Sequence, residues 1–228
     1  MRFLIAAVAV TAFATACPPP TGAQVGERLF NDPRLSDSEF NAFSCATCHT
    51  ADARAAPRIG VGMQNVVARG TWWGGYSPRL LDAVNFCNVY FMRGAPLDQS
   101  DPRSRALYEY LASLSPDATA PPEPLTVVEN VTTLARGSPG RGEQVYNASC
   151  KVCHGDKGTG LGRISELASI VPNASVEFAV ANDFDPELVI IEKVRHGQFF
   201  AVGGNMPMFS KEALSDEDLG ALIGFLDP

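Results

Sequence analysis

The chain has no cluster of lysine and arginine, no long apolar run beyond its first residues, and only three histidines in 228 residues. Each scarcity removes a class of function. Neutralising phosphates takes clustered cations, and a formal net charge of −7 without any such cluster excludes nucleic acid as a partner. Crossing a bilayer takes about 20 successive apolar residues, and no stretch supplies them. Zinc sites draw on paired Cys and His ligands. Outside two short motifs described below, only His196 is left to serve. Alternating strand-like patterns are also few, so the expected fold class is all-α. What the chain has is enough apolar content, 46%, for one large core or two small ones.

The first residues read MRFLIAAVAVTAFATAC. One arginine, a short apolar run and a small-residue end form the pattern of a secretory signal peptide over residues 1–16. Ala14-Thr15-Ala16 fits an ordinary cleavage site. The small residues directly before Cys17 also resemble a bacterial lipobox, with Ala14 where leucine is usual. A lipid on Cys17 would put the protein on a membrane surface, and residues 17–23 would form a Pro-rich tether leaving it. The other reading makes Cys17 an incidental leader residue. Both readings export the protein, to a bacterial periplasm or cell envelope.

Two stretches settle the broad class. Cys45-Ala46-Thr47-Cys48-His49 and Cys150-Lys151-Val152-Cys153-His154 both read C-x-x-C-H, the attachment signature of c-type haem. Two thiols three residues apart on a helical turn reach the two vinyl groups of one haem, and the adjacent imidazole meets the iron from the proximal side. The expected cofactors are therefore two covalently bound haem c groups.

The flanks repeat as well. VGERLFNDP precedes the first motif and RGEQVYNAS the second, each with Gly-Glu and then an aromatic, Phe30 or Tyr146. Each module also closes with an amphipathic stretch. Leu219, Leu222, Ile223 and Leu226 follow a Ser215 cap with Asp218 in the capping-box position, and Leu107, Leu111 and Leu114 form a similar stripe. The predicted organisation is two tandem domains, 24–115 and 137–228, joined by a linker over 116–136. The Pro-rich part of that linker opens it, and LTVVENVTTL is expected to pack on a domain surface.

Along most of its length the second module resembles class I cytochrome c: CHGDKGTGLG follows the motif, and NMPMFSKEALSDEDLGALIGFL matches the ligand loop and last helix. The resemblance implies Met206 as the second iron ligand, with Pro207 and Phe209 completing the pattern. Met208 and His196 are the lesser candidates for that place, His196 being read rather as a surface or propionate-contacting residue. A thioether favours ferrous iron and raises the potential.

The first module has no such pattern. Met63 comes early, which leaves Cys87 and Met92. AVNFCNVYFMRGAPL followed by ALYEYLASLS resembles the corresponding region of thiosulfate dehydrogenases and of the dihaem A subunit of the sulfur-oxidising Sox complex. That resemblance implies Cys87 as the axial ligand opposite His49. Elementary chemistry agrees with it. Thiolate is the metal-binding form, and a lone thiol in an exported protein otherwise tends toward disulfide. The alternative is a core Cys87 with Met92 on the iron.

The metal ligands expected are thus His49, Cys87, His154 and Met206, with Cys45, Cys48, Cys150 and Cys153 holding the haems. A thiolate-ligated first haem sits at lower potential than a Met-ligated second, so the simplest function is electron transfer onward to redox partner proteins. The rival is a thiosulfate dehydrogenase-like enzyme acting at Cys87. It would need a basic residue where Ala83 stands, or help from Arg79 or Arg93, with Asp82 opposing an anion. A third reading is a docking subunit that uses TWWGGYSPRLL, although Trp72 and Trp73 are expected to pack near the haem.

Overall fold

The computed structural model describes residues 19–52, 59–198 and 204–228. The leader and Cys17, on which the export and lipid readings fall, lie outside the described residues. Helix α1 (Gly22–Asn31) starts inside the stretch read as a tether, capped by Thr21, whose hydroxyl accepts from the Gln24 amide. A short α2 (Cys45–Cys48) carries the first motif. Helix α3 (Leu80–Phe86) runs directly into a π-helical turn (Cys87–Phe91), and α4 (Pro102–Ser113) closes the module.

The second half repeats the order. Helix α5 (Pro139–Ser149) leads into α6 (Lys151–His154), which carries the second motif. Helices α7 (Asn173–Asn182) and α8 (Pro186–His196) follow, and α9 (Asp216–Leu226) closes the chain. The Ser215 hydroxyl accepts from the Asp218 amide as its sequence predicts. Among the described residues the extended backbone pairs only in an isolated bridge, Trp72 with Ser77. The fold is all-α, two helical modules in tandem.

The repeated Gly-Glu has a packing reason. In each module the first helix crosses the last, α1 on α4 and α5 on α9. At the crossing a Cβ on Gly26 would strike the Ala106 carbonyl and sit 2.7 Å from the Tyr110 Cβ. A Cβ on Gly142 would strike the Ala221 carbonyl and sit 2.6 Å from the Phe225 Cβ. One turn on, Phe30 meets Tyr110 at 5.4 Å between ring centroids, and Tyr146 meets Phe225 at 5.6 Å. Glycine brings the helices together and the aromatic pair fills the notch beside it.

The linker is an extended strap docked along its length. Its first part lies on the N-terminal module: the Ala120 amide donates to the Ala68 carbonyl at 2.9 Å, and Glu123 pairs with the buried Arg69 at 3.2 Å. Its second part lies on the C-terminal module. The Thr126 amide donates to Glu212, His196 bonds to the Val128 carbonyl, and Val131 and Leu134 pack on that module's core.

Candidate functional site

In the C-terminal half the predicted ligands face one cavity of about 840 Å³. Cys150, Cys153, His154 and Met206 all line it, with apolar walls from Ile164, Leu188, Phe209 and Leu222. Such a lining suits a large flat apolar group held by thiols and ligated on two sides. Met208 is not among the lining residues, which favours Met206 of the two methionines.

The motif histidines are oriented in the same way in both modules. His154 Nδ1 lies 2.8 Å from the Ser169 carbonyl, and His49 Nδ1 lies 2.8 Å from the Val61 carbonyl. A carbonyl only accepts, so each Nδ1 carries the proton and each Nε2 keeps its lone pair for a metal. Burial holds both imidazoles below the usual histidine value, more than the carbonyl bonds restore, so they stay neutral as ligation requires. The backbone after each motif returns alike: the Gly60 amide donates to the Cys48 carbonyl, and the Ile164 amide to the Cys153 carbonyl. Gly60 lies against the His49 ring so closely that any Cβ there would strike it. These features fit a haem on each motif.

Cys87 opens the π-turn, and the Met92 amide closes it by donating to the Cys87 carbonyl at 3.1 Å. π-Turns recur at functional positions. The approach to the turn is pinned by Asn85, which both donates to and accepts from the Leu97 backbone at 2.9 and 2.7 Å. Trp73 stacks on Phe86 of the same segment at 4.6 Å. Burial pushes the Cys87 thiol up to about 12, and the charge of nearby Cys45 adds to the shift. Thiolate formation at Cys87 is therefore favoured only by an added positive charge nearby. Met92 is buried in a core with Phe30, Leu35, Met63 and Leu107, against which Cys45 of the first motif also packs.

His196 is neither at the surface nor on the cavity. It is buried, with Nδ1 2.7 Å from Glu192 one turn earlier on α8 and Nε2 2.5 Å from the Val128 carbonyl, so Nε2 holds the strap to α8 while Glu192 fixes the ring. Arg195, beside it, was not singled out by the sequence. It is fully buried and donates to the carbonyls of Phe209, Ser210 and Leu214 and to Asp216, bracing the backbone that follows Met206. Its one sequence signal is an arginine on the inward face of a helix that otherwise buries Ile190, Ile191 and Val194.

The two halves are not separate. Ile59 and Cys48 of the N-terminal half pack into the C-terminal core, beside Cys150, Cys153 and Met206. Phe40, Phe43 and Ile59 also line the C-terminal cavity. The two arginines that might have received an anion near Cys87 are both engaged. Arg79 pairs with Asp82 at 2.7 Å, and Arg93 donates to Asn205 and the Gly204 carbonyl. Ala83 is buried, so that position does not face an incoming anion.

Residues 137–226 match the family of cytochrome c oxidase, cbb3-type, subunit III. Residues 20–108 match the di-haem cytochrome c peroxidase family. No curated protein matches the chain. Among solved structures, the thiosulfate dehydrogenase (TsdBA) of Marichromatium purpuratum, in its "as isolated" form, is similar at 18% identity and a TM-score of 0.42. That match covers 94% of this chain and 49% of the other, so the chain spans about half its length. Among the described residues no helix is long and apolar enough to cross a membrane.

Proposed function

Since the chain is a pair of tandem cytochrome c domains with two covalently bound haem c groups, we propose that it accepts electrons at a low-potential N-terminal site and passes them through a higher-potential C-terminal site to a partner protein. The observation that carries this is the shared core: Ile59 of the first attachment region belongs to the apolar core against which Cys48, Cys150, Cys153 and Met206 all pack. One-electron chemistry is supplied by the haem when bound, and the chain sets its direction.

In this reading Cys45 and Cys48, and Cys150 and Cys153, hold the two groups. His49 and His154 offer Nε2, fixed by their Nδ1–carbonyl bonds. Cys87 is the second ligand in the N-terminal module and Met206 in the C-terminal one. Thiolate stabilises ferric iron and thioether favours ferrous iron, so the difference in ligand makes the transfer downhill. The ferric charge is also what overcomes the high thiol pKa of Cys87. The signal-peptide reading of residues 1–16 supports export, with Cys17 a candidate lipid site and the partners exported redox proteins.

A sulfur-oxidising role at Cys87 would require a cation to receive an anionic substrate. Arg79 and Arg93 are both committed to other partners, which supports electron transfer over that chemistry.

Low-temperature electron paramagnetic resonance of the ferric dihaem protein, beside Cys87→Ala, tests the assignment. The expected result is a compact low-spin thiolate signal that the substitution removes while the other haem's signal persists. Spectra that are the same in both proteins would make Cys87 a packing residue and remove the proposed potential difference.

A further inference from the structure

The Phe91–Met92 peptide group has two partners. Its N–H donates to the Cys87 carbonyl at 3.1 Å, closing the π-turn, and its carbonyl accepts from Asn205 Nδ2 at 3.4 Å. Asn205 immediately precedes Met206. Its own Oδ1 accepts from Arg93 Nε at 2.8 Å and from Arg93 Nη2 at 2.5 Å, and Nη2 also reaches the Gly204 carbonyl at 3.4 Å. Arg93 turns back toward Asn205 through a left-handed backbone conformation, φ 58°. One peptide group and one asparagine therefore join the turn that carries Cys87 to the loop that carries Met206, across a sequence separation of more than a hundred residues.

We propose that Arg93 and Asn205 form a clasp that positions the Met206 loop on the N-terminal module and couples it to the Cys87 turn. This rests on Cys87 and Met206 being the distal ligands. Neither clasp residue is a ligand in this reading, although Asn205 lines the C-terminal cavity. They are positioning residues, acting through the backbone on either side of each ligand. The coupling is reciprocal: whatever loosens one ligand loop is felt at the other.

The test uses the intact ferric dihaem protein with Arg93→Ala, Arg93→Lys, Asn205→Ala and the Arg93→Ala/Asn205→Ala double variant. Arg93 is exposed, so the Arg93 substitutions should leave the fold intact. Imidazole is titrated while the methionine–iron charge-transfer band is followed. The expected result is that imidazole displaces the methionine about tenfold more readily in each alanine variant, a size usual for coupled sites. The double variant should be no worse than the singles, because one contact is being removed, and Arg93→Lys should fall between. The thiolate resonance signal should shift in Asn205→Ala. Imidazole affinities equal to that of the unsubstituted protein, or strictly additive effects, overturn the clasp. A thiolate signal identical throughout overturns its coupling to Cys87. Absence of the methionine band in the unsubstituted protein is a separate failure: it removes Met206 as a ligand, and the clasp's role falls with it.

Discussion

The two modules agree around their attachment motifs and differ in the residues proposed to sit opposite the motif histidines. On the shared side the correspondence is residue for residue: Gly26 with Gly142, Phe30 on Tyr110 with Tyr146 on Phe225, and a motif histidine tied through Nδ1 to a backbone carbonyl. On the distal side nothing corresponds. The N-terminal module offers a cysteine on a π-turn that continues a helix. The C-terminal module offers a methionine on extended backbone, tied by the Gln198 amide to the Met206 carbonyl at 3.0 Å and braced downstream by Arg195. In the proposed reading, the duplicated scaffold keeps the part that holds the group and changes the part that sets its potential.

If that division is right, changing the distal residue should move the potential and leave the scaffold alone. Cys87→Met should raise the N-terminal potential by some hundreds of millivolts, a sizeable part of the roughly 0.8 V that axial ligands span. Redox titration of both haems would read it, and the difference between the two should nearly vanish. An unmoved N-terminal potential would mean that the modules differ for some reason other than Cys87.

Substitution on the shared side should have the converse effect. Gly26→Val and Gly142→Val each force a side chain into a carbonyl at the helix crossing, and each should cost about 3 kcal/mol or more in stability. Thermal unfolding followed by circular dichroism would measure it. Similar losses in the two modules are expected. A tolerated valine in either one would show that the crossings are not equivalent.

The smallest effect concerns the strap, which the N-terminal module meets with Arg69 and the C-terminal one with His196. Burial disfavours charge on His196, but its bonds to Glu192 and to the Val128 carbonyl prevail and raise its pKa above 6.5. A group with a raised folded pKa stabilises fully below its unfolded value and loses that contribution as pH rises through the folded one. The melting temperature should therefore fall as pH rises from below the ordinary histidine value through the raised one, and His196→Gln should flatten that fall, at roughly 2–4 °C per kcal/mol for a chain of this size. A pH dependence that is the same in both proteins would show that the strap is held by its other contacts.

Much of this was legible in the sequence where the determinants are local. The C-x-x-C-H motifs fix their own short helices, Ser215 and Asp218 sit within one turn, and the Gly-Glu repeat marks both first helices. Met206, which lines the C-terminal cavity, could be singled out because its pattern is contiguous. What sequence did not reveal depends on contacts between distant residues. The π-turn at Cys87 needs one bond of unusual span, which no residue type announces. Ile59 is an ordinary apolar residue of the first half whose place in the second half's core is decided by docking. Arg195 and His196 are polar residues on a helix face that the fold buries, and the strap and loop carbonyls that satisfy them lie 14 to 68 residues away. Arg93, read as a possible anion ligand, is committed to Asn205, 112 residues on.

The docked strap has a kinetic consequence. Electron tunnelling falls steeply with distance, so two carriers joined by a loose tether pass electrons mainly during rare close encounters, and their rate follows the viscosity of the surroundings. Here residues 116–136 are bonded to one module and then to the other, and the attachment regions share a core. Under the proposed function the gap between carriers would be set when the chain folds, and the rate of transfer across it would not follow the viscosity of the solvent.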